Sequence, residues 1–225
     1  SRGDAAEDVL ENFTRMAAAL GVERDRMVVS HQTHTVNLRR VTLEDAGKGV
    51  IRERDYRDID GLITDVPGLT LVTFYADCVP LYLLDPVNRA IGLSHSGWRG
   101  TVKRMGQVTV DAMKEAFGTK PGDLIACVGP SICRDCFEVG GEVVEEFREA
   151  FGPEHREALY CQGKRPGKYQ LDLWKANEII FREAGICREN IHITNICTMC
   201  NSDYLFSHRK VGEERGNLAA FLCLK

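Results

Sequence analysis

Apolar residues in the first stretch of the chain recur at helical spacing. Between residues 5 and 20, Val9, Leu10, Phe13, Met16, Ala17 and Leu20 share one face, and Gly21 stands where a C-terminal cap belongs. The period then shortens. Residues 26–30 and 35–41 are short β-rich stretches, and the charged segment 44–60 reads as loop or edge structure. Continuous apolar runs at 69–75 and 79–84 predict buried strands, after which Asp85-Pro86 and Asn88 mark a turn. A strand at 89–94 runs through Ser96-Gly97-Trp98-Arg99-Gly100 into a helix over 101–117, which Gly118 ends before Pro121-Gly122 turns the chain. Further on, the pattern predicts a strand at 124–128, helices at 142–151 and 171–184, and strands at 191–195 and 218–224. Residues 152–169, rich in glycine and proline, read as a long surface loop. With no internal repeat, this mixture predicts one α/β or α+β domain built on a mixed sheet.

Composition narrows the class. The chain has 225 residues, 44% of them hydrophobic, enough for a packed core and too many for disorder. Its 29 Lys and Arg against 33 Asp and Glu give a net charge of −4, so no large positive field awaits nucleic acid. No apolar run approaches the roughly 20 residues of a membrane helix, and the first residues lack a signal-peptide core, so the expectation is a soluble cytoplasmic protein with no membrane partner. Nine cysteines, an odd number, exclude complete intrachain disulfide pairing and in a reducing compartment read as thiols or metal ligands.

Three candidate ligands stand just past apolar stretches: His34, Cys78 and His95. Strand ends that converge on one sheet edge can aim such groups at one point. A His/Cys/His set suits a catalytic zinc, because three protein ligands leave a fourth position open and the ion lowers the pKa of bound water toward about 7. The spacing alone equally allows two histidines satisfied in the core and a buried thiol. Asp77 adjoins Cys78 and could shuttle protons, provided the strand has ended there, since successive strand residues face opposite ways; Pro80 suits such an irregularity. Gly97, Arg99 and Gly100 join a strand to a helix in a way that could hold an anion, or form an ordinary tight turn with Trp98 packed in the core. The C-x-x-C pairs Cys133/Cys136 and Cys197/Cys200 admit a four-cysteine zinc site or redox pairs, although they lie far apart for a compact zinc ribbon. Cys127 and Cys223 read as small core residues, Cys161 and Cys187 have no partner spacing, and His155 and His192 read as surface residues. His31 forms H-x-x-H with His34, but in an extended segment the two would point apart. There is neither a G-x-S-x-G elbow nor a Walker-type phosphate loop.

Several blocks in a fixed order carry a resemblance: Gln32-x-His34, Ala76-Asp77-Cys78-Val79-Pro80, His95-Ser96-Gly97-Trp98-Arg99-Gly100, Gly129-Pro130-Ser131-Ile132, Phe137-Glu138-Val139-Gly140, Leu171-Asp172-Leu173-Trp174, Cys197-Thr198-x-Cys200 and Phe206-Ser207-x-Arg209. Through them nearly the whole chain resembles the YfiH-like or laccase-domain family, described as purine nucleoside phosphorylases and also named peptidoglycan editing factors and polyphenol oxidases. The resemblance implies a single α/β (α+β) domain over 1–225 with mixed β-sheets flanked by helices, a CNF/YfiH-like fold. It implies zinc, with copper as the alternative, on His34, Cys78 and His95, and phosphorolysis of adenosine, inosine or methylthioadenosine with adenosine deamination as a second activity. Purine nucleoside and phosphate are the expected small-molecule partners. Within that scheme Asp77, Cys78, His95 and Arg99 are the catalytic candidates, and Gln32, Gly97 and Gly100 the substrate-binding ones. Rival readings use Cys78 as the nucleophile of an amidase or deamidase with His95 as base, a copper polyphenol oxidase, or a factor binding a cell-wall precursor. The chain departs from the family at Thr33, Thr35 and His208. It also enters the family pattern directly at Gly3-Asp4, whereas members usually begin with a further stretch expected to carry strands and an active-site arginine.

Overall fold

The computed structural model describes residues 3–225. The first helix, α1 (Ala6–Leu20), forms over its apolar stripe, and Gly21 closes it in the left-handed region at φ 64°, its N–H reaching the carbonyls of Ala17 and Ala18. In chain order there follow β1 (Met27–Val29), β2 (Leu38–Arg40), β3 (Gly61–Thr64), β4 (Thr70–Tyr75), β5 (Val79–Asp85), β6 (Ala90–Ser96), α2 (Trp98–Val102) and α3 (Met105–Phe117). The second half holds β7 (Ile125–Val128), β8 (Glu138–Gly140), α4 (Gly141–Phe151), α5 (Arg156–Leu159), β9 (Tyr160–Gln162), β10 (Lys168–Leu171), α6 (Leu173–Glu183), β11 (Ile191–Ile193), α7 (His208–Val211) and β12 (Leu218–Cys223).

Six strands make a mixed sheet in the order β11-β7-β5-β6-β3-β2, parallel at its two outer pairs and antiparallel within. A second sheet, β1-β4-β12, lies against one face of it: Val28, Leu71 and Ala220 share a core with Leu62, Ile91 and Leu93. The outer face of that smaller sheet is covered by Phe13 and Ala17 of α1, packed on Met27, Val29 and Val72. The opposite face of the large sheet buries Leu81, Leu83, Ala126 and Val128 under α3, α4 and α6. The result is a layered α/β domain, as the alternating patterns predicted. Strand alternation assigns faces: Ile91 and Leu93 point toward the small sheet, and His95, two residues on, points the same way.

Three sequence expectations are corrected. Residues 152–169 are not a loop: they hold α5, β9 and the start of β10, and β10 pairs with β9 and β8 in a third, antiparallel sheet. These strands are short and polar at their edges, so no apolar alternation marks them. The helix expected at 101–117 begins at Trp98 and breaks at Arg104, which adopts φ 61°. Tertiary contacts hold that break, because the Arg104 guanidinium donates to the Ala150 carbonyl, pairs with Glu183 and lies over the Phe151 ring. Finally, Leu171 belongs to β10, and Asp172 caps α6 by accepting from the Lys175 N–H at 2.8 Å. Among the described residues no helix is long and apolar enough to cross a membrane.

Candidate metal centre and its cavity

His34, Cys78 and His95 come together although they belong to different parts of the fold. His95 lies on β6, Cys78 ends the link from β4 to β5, and His34 follows β1 with a left-handed φ of 65°. One ligand atom from each lies within 4.8 Å of the others, and Cys78 Sγ is 3.9 Å from His34 Nε2. Bond lengths of about 2.3 Å for sulfur and 2.0 Å for nitrogen around a tetrahedral ion put such ligand atoms about 3.6 Å apart, so the set fits zinc with little movement. Gly97 allows this approach: a Cβ there would meet Cys78 Sγ at 3.0 Å and His34 Cδ2 at 3.1 Å.

Asp60 organises the centre, and the sequence reading missed it. It heads β3 with no side-chain exposure and accepts from His95 Nδ1 at 2.9 Å. The same carboxylate gathers the backbone N–H groups of Thr33, His34 and Thr35 and the Thr35 hydroxyl, at 2.8–3.1 Å. A proton fixed on His95 Nδ1 leaves Nε2 with its lone pair for a metal, the carboxylate–histidine arrangement of many metal sites. Burial resists charge on Asp60, but the bonds from His95, Thr33 and Thr35 prevail and hold its pKa down at about 2. The available signal was an aspartate directly before the buried strand Gly61–Thr64, inside a segment where Glu44, Glu53, Asp55 and Asp58 are exposed.

Burial likewise resists ionisation of the Cys78 thiol, yet the His95 and His34 imidazoles outweigh it and pull its pKa below the ordinary thiol range. For His95, burial disfavours the proton while Cys78 and Asp60 favour it more strongly, raising the pKa. The pocket is therefore built for a thiolate.

Other candidates take different places. Asp77 has left the strand, at φ 85°, but its carboxylate turns away from the triad, accepting from Thr198 Oγ1 and the Arg209 N–H, each at 2.6 Å. Arg99 is exposed and stacks over the ring of Trp98 at 4.2 Å. Gly100 is buried beneath the carbonyl of His95. Gln32 locks β4 in place, its amide exchanging two 2.7 Å bonds with the backbone of Phe74. A cavity of about 300 Å³ opens beside the triad; Gln32, Tyr75 and Asn217 line it together with His31, Arg54 and Arg215. His31 thus faces the cavity without joining the ligand cluster. Elsewhere, His155 pairs with Glu183 and His192 is exposed. Cys127 and Cys223 are half-buried in β7 and β12, Cys161 and Cys187 are exposed, and all nine cysteines are free thiols.

The whole chain, residues 1–225, matches the family described as multi-copper polyphenol oxidoreductase laccase. It belongs to this family. Among laccase-domain relatives, the purine nucleoside phosphorylase YlmD of Bacillus subtilis is 32% identical over 99% of this chain and 79% of its own length. A protein named adenosine deaminase RL5, from an unknown prokaryotic organism, is 35% identical over 95% of this chain and 81% of its own. The fold is shared as well. The crystal structure of the hypothetical protein YfiH from Bacillus licheniformis superposes with a TM-score of 0.94 at 31% identity, covering 99% of this chain and 83% of that one. YlmD from Geobacillus stearothermophilus gives 0.91 at 33% identity, covering 99% and 82%.

Proposed function

We propose that this laccase-domain protein is a zinc-dependent purine nucleoside phosphorylase that accepts adenosine, inosine or methylthioadenosine and also deaminates adenosine. One observation carries the reading: a thiolate-favouring His34/Cys78/His95 cluster, oriented by Asp60, borders a cavity lined by two arginines in a chain whose relatives bear those names. When bound, zinc supplies Lewis acidity that polarises an oxygen of water, phosphate or substrate. Arg54 and Arg215 hold the phosphate dianion, in place of Arg99, which stacks outside the cavity lining. A phosphate oxygen bonds to the sugar C1′ as the bond from C1′ to the purine nitrogen breaks, and the departing base takes up a proton. Monohydrogen phosphate, which loses its proton as the ester forms, balances it, and His31, on the cavity wall, donates a hydrogen bond to the departing nitrogen. Its Nδ1 accepts from the Asp58 N–H at 3.1 Å, so the proton of the neutral ring sits on Nε2. Copper in place of zinc would not make this chain a multicopper oxidase, since a mononuclear site and a trinuclear cluster need more imidazoles than its six scattered histidines provide.

The zinc-loaded protein should release hypoxanthine from inosine only when phosphate is present, with ribose 1-phosphate as the second product. His95→Ala should lose the cavity-side zinc, one equivalent per chain fewer than wild type, together with turnover; a variant that keeps the wild-type zinc content and turnover, or a wild type without phosphate-dependent release, overturns the proposal. The depressed Cys78 pKa also favours a second reading, in which Cys78 is a nucleophile. Iodoacetamide separates the two: a metal-bound thiolate resists alkylation until a chelator is added, and a free nucleophile reacts at once.

A further inference from the structure

The turn after β7 and the segment after β11 bring the two C-x-x-C pairs together. The sulfurs of Cys133, Cys136, Cys197 and Cys200 all lie within 4.8 Å of one another, and Cys136 and Cys200 are 3.4 Å apart. We infer that these four cysteines form a second metal centre, separate from the cavity, that binds one structural zinc ion. A tetrahedral ion with bonds of about 2.3 Å to four thiolates spaces the sulfurs about 3.8 Å apart, which matches this cluster. An iron–sulfur cluster would stand between the cysteines and hold them further apart than they are. Backbone geometry adds an independent observation: Cys197 Sγ accepts the N–H groups of Cys133 at 3.3 Å and Cys200 at 3.4 Å. Two converging N–H donors suit a sulfur that carries negative charge.

Four protein ligands leave no open position, so this centre holds structure and performs no chemistry. Its placement defines what it holds. Ser131 and Cys197 form an isolated parallel bridge, with the Ser131 N–H bonded to the Ile196 carbonyl and the Thr198 N–H to the Ser131 carbonyl. Thr198 in turn donates to Asp77, next to Cys78. Zinc at the tetrad would therefore fasten the segment that braces the first metal centre. Binding replaces up to four thiol protons, which pass to the solvent.

Metal counting on protein purified with zinc tests this. The Cys78→Ala/His95→Ala variant, stripped of the first centre, should retain about one zinc per chain. Adding Cys136→Ser/Cys200→Ser should remove it. Since those serines could unfold the segment, a second measurement keeps the tetrad intact. Cobalt(II) exchanged into Cys78→Ala/His95→Ala should give the thiolate-to-cobalt charge-transfer absorption and tetrahedral visible bands of an all-sulfur site. Absence of zinc and of these bands, with the four thiols titrating freely or the mass lowered by a disulfide's two hydrogens, would overturn the inference.

Discussion

Replacing Asp60 by asparagine probes the organisation of the cavity-side metal centre. Oδ2 of Asp60 accepts from the Thr33 N–H, the Thr35 N–H and the Thr35 hydroxyl, whereas Oδ1 accepts from the His34 N–H and His95 Nδ1. An asparagine must turn its NH2 toward one of these groups. Facing the Thr33 and Thr35 backbone would oppose two donors that cannot rotate away. Facing His95 costs less, because it opposes one backbone donor, the His34 N–H, instead of two, and the imidazole can move its proton to Nε2 and accept at Nδ1. That tautomer no longer offers Nε2 to a metal. Losing one or two hydrogen bonds to a charged group, each contributing about 1.5–3 kcal/mol, should lower the stability of the apoprotein by about 1.5–6 kcal/mol. Loss of a carboxylate behind a metal-binding histidine should weaken zinc about 10- to 100-fold, or about 1.4–2.8 kcal/mol. Competition with a chromogenic chelator measures the affinity, and urea unfolding of the metal-free protein measures the stability. Wild-type zinc affinity in a folded Asp60→Asn variant would refute the assignment of Asp60 as the group that sets the His95 tautomer.

Gly97→Ala should weaken zinc at least tenfold while the chain stays folded, because the new Cβ has ordinary backbone angles but stands against Cys78 and His34; chelator competition and circular dichroism check it together. Arg54→Ala should raise KM for phosphate about tenfold or more and leave KM for inosine nearly unchanged, as steady-state kinetics with each substrate varied will show. Far from the metal centre, Asp85 is fully buried; burial pushes its pKa up, but the nearby Thr119 hydroxyl dipole and bonds from Asn88 and Val87 prevail and hold it below the usual 3.8. A depressed carboxyl pKa contributes stability that is present above the unfolded value and lost as pH falls through the folded one. Asp85→Asn should therefore be less stable than wild type at about pH 7, and the gap between their urea midpoints should close as pH falls below about 4.

Apolar periodicity located most of the layers. The stripe of α1, the apolar runs of β4 and β5 and the strand leading into Gly97 were readable because each buries a continuous face. The clustering of His34, Cys78 and His95 was readable because each stands where an apolar stretch ends. Asp60 was hidden for the opposite reason: it sits in a charged stretch most of whose acids are exposed, and only the fold shows that its carboxylate is sealed behind His95. Local conformation, which sequence spacing does not encode, decided Asp77, whose positive φ aims it at Thr198 and Arg209. The same holds for the Arg104 break, fixed by partners on α4 and α6 that are distant in sequence. The two C-x-x-C pairs were visible as pairs, but their meeting depends on how the turn after β7 lies beside the segment after β11.

The triad draws its ligands from both sides of a seam. His34 follows β1 of the small sheet, His95 belongs to β6 of the large one, and Cys78 lies in the short link where the chain crosses from β4 to β5. A metal bound there would act as a staple between two plates, and metal affinity and the cohesion of the plates would become one linked quantity. A ligand at a thousand times its Kd adds about 4 kcal/mol to the closed form. Amide protons of β1, β4 and β6 would then slow their exchange together on loading, although β1 and β4 share no sheet with β6. The breathing of the two plates would in turn set how fast the metal leaves.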